Sequence, residues 1–283
     1  MSISAKVVCA SINSGVKLTT LEVVMPRIIL AEWNTHRRKS RNTSSSRAIS
    51  LSKMRSAVAT DPYIPETLAR NQRGMQAGDR LNMYDYADCV RKIRDHMASA
   101  LELHKFLESK DVHKQWTNRY LEPFMWSKVV VSATEWQNFL SQRLHSDAQP
   151  EMQQVAAYIA AALETAEYTE TFYHLPYITA QEREMHHIST LLFVSAFRCA
   201  GVSYTDPGQR YSFDEELERG KRLAANNPPH WSPLEHCAIA VPDLSVVSNF
   251  DAPWIQARKL LDSSDKKLFS RVCFGDADLT SNG

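Results

Sequence analysis

The 283-residue chain has no run approaching the roughly 18 apolar residues that span a bilayer. Residues Met1 to Lys6 lack the apolar stretch of a secretory leader, so the sequence predicts a cytoplasmic protein with no membrane partner. Charge of one sign is also missing: 33 Lys and Arg stand against 32 Asp and Glu, leaving no overall field to gather polyanions, so any anion site must be local. Cysteine is sparse and odd in number (Cys9, Cys89, Cys199, Cys237, Cys273), and no CxxC pair occurs. That argues against a disulfide framework and a zinc site, and fits a reducing compartment. The adjacent His186-His187 pair would point about 100° apart on a helix, and no third ligand has sensible spacing, so no metal is expected. Repeats, low-complexity tracts and linkers are absent, which leaves residues 1–283 as one expected domain. With 43% hydrophobic and 23% charged residues, a packed core is expected.

Residues 16–25 alternate apolar and polar with a slip near Thr20, which predicts a half-buried strand ended by Pro26. Pro26 suits a first helical turn, so a helix is expected from Arg27 to about Arg37 with Ile28, Ile29 and Trp33 buried, followed by a polar loop. Residues 61–82 read as irregular. Helical spacing runs from Tyr84 to about Glu108 and again through Met152, Val155, Ala156, Ile159 and Leu163. Val129 to Val131 disfavour helix, and Ala133 to Leu144 looks helical with Arg143 on its last turn. A solvent-facing helix is expected over Asp214 to Asn226 and a short strand over Cys237 to Val241, where Cys237 would be an inert packed thiol.

The chemistry concentrates in residues 36–47, His-Arg-Arg-Lys-Ser-Arg-Asn-Thr-Ser-Ser-Ser-Arg, which hold five cationic side chains and no carboxylate. Arginine offers planar bidentate donors to phosphate, and serine hydroxyls with loop N–H groups add short ones, so this is a candidate site for a phosphorylated nucleotide. A solvated basic loop and an RNA-binding segment would share the composition. Position argues against both: a strand-helix unit precedes the run and Ile49, Leu51 and Met54 follow it, holding it inside the fold. No polymeric nucleic acid is therefore expected as partner.

Thr35-His36-Arg37, then seven residues, then Ser45, with Ser40, Asn42 and Arg47 in place, resembles the signature of the flavin-dependent thymidylate synthases. Asn118-Arg119-Tyr120-Leu121-Glu122-Pro123, and Asn138-Phe139-Leu140-Ser141-Gln142-Arg143 running into Ala148 to Met152, look like that family's middle and late motifs. A third block over residues 196–241, above all His230-Trp231-Ser232-Pro233-Leu234-Glu235-His236, resembles what the family normally places before its signature. The chain thus resembles a permuted relative, a rearrangement that tolerates a different cut point when termini lie together at the surface. Asn71 and Gly74-Met75-Gln76 look like a loop of phage-type relatives. Departures are Thr35 for the first Arg, Thr43 where Glu is usual, Glu32 where Gln is usual and Asp147 where His is frequent.

The resemblance implies an α+β fold, a mixed sheet with long helices in permuted chain order, assembled as a homotetramer with shared sites. It implies FAD, NADPH and 5,10-methylenetetrahydrofolate as cofactors, and reductive methylation of deoxyuridine monophosphate to thymidylate. By its motifs, Arg143 and His230 would be catalytic; His36, Arg37, Asn138, Ser203, Ser232 and Glu235 would contact flavin. Glu32, Ser44, Ser45, Ser46, Arg47, Arg119 and Arg143 would hold the nucleotide, Arg119 reaching in from a neighbouring subunit. Glu32, Thr43 and Asp147 also motivate a second substrate, deoxycytidylate, or a hydroxymethylated product, because a 4-amino group donates to a carboxylate.

Overall fold

The computed structural model describes residues 1–201, 211–226, 230, 232–241 and 248–262. Strands β1 (Ser4–Asn13) and β2 (Val16–Pro26) form a hairpin closed by Ser14 and Gly15, whose φ values of 49° and 76° are the left-handed pair a two-residue turn requires. After the short helix α1 (Leu30–Trp33) comes β3 (Ser40–Thr43), then helices α2 (Leu51–Thr60), α3 (Met83–Ser109) and α4 (Lys114–Thr117). Strand β4 (Trp126–Ala133) leads into α5 (Gln137–Arg143) and α6 (Pro150–Glu164), and β5 (Thr169–Glu170) completes a mixed sheet of order β3-β4-β2-β1-β5. A second sheet is built from β6 (Tyr173–His174), β7 (Ala238–Ala240) and β8 (Trp254–Gln256). Around it lie α7 (Ala180–Met185), α8 (Ile188–Gly201), α9 (Phe213–Ala225) and α10 (Ala257–Asp262). The architecture is mixed α+β with long helices, as the family resemblance implies. No helix among the described residues is long and apolar enough to cross a membrane.

Both faces of the large sheet are covered, which explains the broken alternation near Thr20. Leu21, Val23 and Met25 of β2 and Val129, Val131 and Ala133 of β4 pack on one face against Met152, Val155, Ala156 and Ile159, the apolar stripe of α6. Leu18 on the opposite face meets Ala238, Ala240, Phe250 and Trp254. Between these layers runs a buried polar seam. The Thr20 hydroxyl lies 2.6 Å from Ser132 Oγ and 2.7 Å from His174 Nε2, and Ser132 Oγ lies 2.9 Å from His236 Nδ1. These bonds compensate the lost hydration of Thr20, Ser132 and His174, while His236 is bonded through Nδ1 and its buried Nε2 has no partner among the described residues.

Two expectations are corrected, and one strand is new. The helix expected over 27–37 is a single 3-10 turn, Arg27–Ile29, followed by α1, and Ile28 is exposed rather than buried. The polar segment after it is not all loop, because Ser40–Thr43 pairs with Val129 to Ser132 as an edge strand. Strand β1 had no counterpart in the sequence reading. Cys237 is buried and its thiol donates to Ser195 Oγ at 3.2 Å, in keeping with an inert packed role; Cys273 lies outside the described residues. His186 stacks on Phe213 with ring centroids 3.8 Å apart.

Helix α9 meets α8 at Gly220, where an added Cβ would overlap the Phe193 carbonyl and main chain. A backbone obstacle cannot turn aside, so Gly220→Ala should destabilise the protein by about 3 kcal/mol. A urea-melt midpoint unchanged from wild type would contradict this packing.

Candidate functional site

The site forms where α1, the turn after it and helix α5 converge. Arg41 shapes that turn: its guanidinium donates to Asn34 Oδ1 at 2.7 Å, to the Asn34 carbonyl at 2.9 Å, and to the carbonyls of Lys39 and His36 at 3.1 and 3.2 Å. Thr35 Oγ1 adds a 2.7 Å bond to the Glu32 carbonyl. These five bonds draw the signature back towards α1 and turn residues 36–39 over α5.

Trp136 and Phe139 anchor α5 in the core, so Arg143 emerges on its last turn, as expected from the sequence. From there Arg143 Nη1 donates to Glu32 Oε1 at 2.6 Å, and Nε donates to His36 Nε2 at 2.8 Å. A guanidinium can only donate, so Nε2 of His36 is an unprotonated acceptor and the ring proton sits on Nδ1. Partial burial and the cations Lys39, Arg143 and Arg41 push the His36 pKa down to about 4, which keeps the ring neutral. Three residues separated by up to 111 positions thus form one cluster, Glu32, His36 and Arg143. A pocket of about 270 Å³ opens beside it, lined among others by His36, Arg37, Lys39, Glu135, Asn138 and Arg143.

The cationic run is less free than its composition implied, because carboxylates reach it from distant segments. Arg38 pairs with Asp251 at 2.5 Å, and Glu135 stands on the pocket wall. Arg37 is exposed and makes no ion pair among the described residues. Lys39 is buried within a cage of aromatic rings; its Nζ lies 2.9 Å from the Phe139 centroid and 4.8 and 4.9 Å from Trp33 and Trp136. The sequence reading gave Lys39 no individual role. Its signal was the set of Trp33, Trp136 and Phe139, which only the fold brings together.

The second half of the signature forms a separate arrangement. Ser44 and Ser46 are buried and Ser45 and Arg47 exposed. Asn118 Nδ2 donates to the carbonyls of Ser46 and Ile49 at 2.8 and 3.0 Å, tying this turn to the segment that carries Arg119. Arg47 and Arg119, each one residue beyond that tie, both present exposed side chains, Arg119 touching Glu122 at 3.4 Å. Ser46 Oγ is buried without a hydrogen-bond partner among the described residues. The exposed guanidiniums of Arg47 and Arg119 suit a phosphate-bearing ligand.

The 196–241 block meets the sheet near β3. Asn42 Nδ2 donates to the Cys199 carbonyl at 3.1 Å, and Gln256 Nε2 bridges Ser40 Oγ at 2.5 Å and the Glu235 carbonyl at 3.0 Å. The Glu235 carboxylate pairs with Arg258. Ser232 is exposed at the start of the 3-10 turn Ser232–Glu235. His230 is exposed, its N–H donating to the Leu223 carbonyl at 2.9 Å, and it is not among the residues lining the pocket beside Arg143. Ser203 and Trp231 lie outside the described residues. A larger cleft of about 530 Å³ lies elsewhere, between Tyr63, Arg80, Arg94 and the first turn of α6, and contains none of the signature.

Comparison with known proteins places this geometry in context. The family model Thy1, thymidylate synthase complementing protein, matches residues 16–166, which include the signature, middle and late blocks but not residues 196–241. Among solved structures, the UMP/dUMP methylase PolB from Streptomyces cacaoi bound with 5-Br UMP is similar in fold at TM-score 0.50 and 18% identity. That match covers 57% of this chain and 88% of the other. The same methylase bound with 5-Br dUMP gives a TM-score of 0.43 at 20% identity, covering 52% and 66%. No curated protein matches.

Proposed function

Because the chain belongs to the thymidylate synthase complementing protein family and is a thymidylate synthase-like methyltransferase, we propose that it transfers a one-carbon unit from methylenetetrahydrofolate to C5 of deoxyuridine monophosphate using a bound flavin. The observation that carries this reading is the Glu32, His36 and Arg143 cluster, of which His36 and Arg143 line the pocket.

Making C5 nucleophilic moves charge onto the ring carbonyl and nitrogen of the pyrimidine. Arg143, fixed at two points, would meet that charge as a preorganised donor. Glu32 beside it would accept from the ring N–H, so donor and acceptor together match one edge of the base. Arg47, Ser46 and Arg119 would take the phosphate, Ser44 and Ser45 completing the turn, with Arg119 serving a site in a neighbouring subunit of a homotetramer. His36, Arg37 and Asn138 would hold the flavin, joined by Ser203, Ser232 and Glu235 from a permuted third block in the same domain; His230 would complete the site at the reacting ring. FAD, reduced by NADPH, supplies the hydride when bound, and the chain's own residues position the nucleotide against it.

A second reading is favoured by Glu32 itself. A carboxylate accepts from a 4-amino group as readily as from a ring N–H, so deoxycytidylate fits the same Glu32 and Arg143 pair. Tritium release from C5-labelled substrates separates the two. Release from deoxyuridylate with FAD, NADPH and the folate is the expected result, release from deoxycytidylate alone assigns the second reading, and release from neither overturns both.

Shared sites carry their own expectation. Arg119→Ala and Arg143→Ala should each be inactive alone, and mixing them under subunit exchange should restore about a quarter of wild-type activity, because some sites then receive both arginines. No recovery would place both residues in one subunit's site.

A further inference from the structure

Helix α3 turns one apolar stripe inward. Ile93, Met97, Ala100 and Leu101 pack beside Leu121 and Phe124, and the next inward position by helical spacing is His104. His104 is fully buried at a place where leucine would pack and bring no polar atom to satisfy. The reason lies across the core. Asn118, also fully buried, directs Nδ2 at the carbonyls of Ser46 and Ile49, at 2.8 and 3.0 Å, and carbonyls only accept. Asn118 Oδ1 therefore faces His104 Nε2, 3.0 Å away, and that nitrogen carries the donated proton. One imidazole N–H thus fixes the plane of the Asn118 amide, and the amide fixes the main chain on both sides of Arg47. Arg119 directly follows Asn118, so both exposed guanidiniums extend from backbone held by this one buried network. None of the sequence motifs includes His104.

We propose that His104 is a positioning residue for the nucleotide substrate: its Nε2–H holds Asn118, and through Asn118 it holds the Ser44 to Arg47 turn and Arg119 in the arrangement that receives the nucleotide. The proposal rests on the reading of that turn and Arg119 as nucleotide-binding. His104 itself touches no substrate and acts only through Asn118. A histidine that merely fills the core would change stability and leave affinity for the nucleotide alone.

His104→Leu removes the N–H and leaves Asn118 Oδ1 buried and unpaired, whereas His104→Gln carries an amide Nε2 where the imidazole Nε2 lies and restores the donor. Steady-state kinetics of the full chain, well below the melting temperature of each variant, separate affinity from stability. His104→Leu should raise KM for the deoxynucleotide about tenfold with kcat within about twofold of wild type, and His104→Gln should recover most of that loss. Should His104→Leu not fold, His104→Asn, whose shorter amide stops short of Asn118, carries the same expectation. A double-mutant cycle supplies the second readout: Arg47→Ala should raise KM about fivefold less in the His104→Leu background than in wild type, because a displaced guanidinium has less to lose. An unchanged KM in the His104 variants, or fully additive effects in the cycle, would overturn the role of His104 and leave the proposed function standing. Wild type that turns over neither deoxyuridylate nor deoxycytidylate would overturn both.

Discussion

Arg143→Ala should lower kcat about 100- to 1000-fold while leaving the protein folded, the usual effect of removing a preorganised donor from a developing oxyanion. The fold should survive because the Trp136 and Phe139 anchors of α5 are untouched, and Glu32, about a third exposed, can rehydrate once its partner is gone. Arg143→Lys should recover little. An ammonium keeps the charge but loses the fixed fork that reaches Glu32 and His36 together. The diagnostic is how the loss divides between kcat and KM: a rise in KM alone would show that Arg143 binds ground and transition states equally, and would remove it from catalysis.

The second large effect is on stability as a function of pH. Burial holds His174 and His236 neutral in the polar seam with pKa values pushed to about 3, and His36 to about 4, against an ordinary 6.5. Below pH 6.5 the unfolded chain binds protons that the folded chain refuses, so stability falls with pH down to those folded values. At about pH 4.5 each fully buried histidine costs on the order of 2–3 kcal/mol, and the pair can consume much of a typical domain's stability. Lys39 acts with the same sign in another window. Its folded pKa of about 6 lies below the ordinary 10.5, so stability should keep rising from pH 6 towards 10.5. Lys39→Met should abolish that upper rise and raise the melting temperature near neutral pH, leaving the acid limb intact. Melts across pH 4 to 10 check both limbs, and a flat profile in wild type would contradict neutral burial of these groups.

What the sequence disclosed and withheld follows from where each element gets its stability. Strand β2, α3 and α6 were legible because one apolar face recurs at a clear period, and the last turn of α5 placed Arg143 correctly for the same reason. Strand β3 was hidden. Ser40–Thr43 has no apolar alternation, and its order comes from the β4 ladder and from Cys199 and Gln256, more than 150 residues away. The helix after Pro26 was overextended because Arg41, through its hold on Asn34, His36 and Lys39, stabilises a turn that local propensity does not encode.

The candidate site was legible unevenly. Glu32, His36 and Arg143 were each singled out by their motifs, and the fold joins them. Their mutual bonds, which neutralise Glu32 and fix the His36 tautomer, depend on side-chain geometry that spacing cannot supply. The composition of residues 36–47 suggested cations awaiting an anion; Asp251 and Glu135 lie far along the chain, so their partial neutralisation was invisible. The aromatic cage around Lys39 was likewise divided between Trp33 and the Trp136 to Phe139 turn.

The visible absorption of the purified protein tests the central claim most directly. With FAD added, the account predicts a yellow complex whose flavin bands shift when deoxyuridine monophosphate is bound, and an Arg143→Ala protein that stays yellow but loses the shift. A protein that retains no FAD, or an Arg143→Ala spectrum that responds to the nucleotide as wild type does, would contradict it.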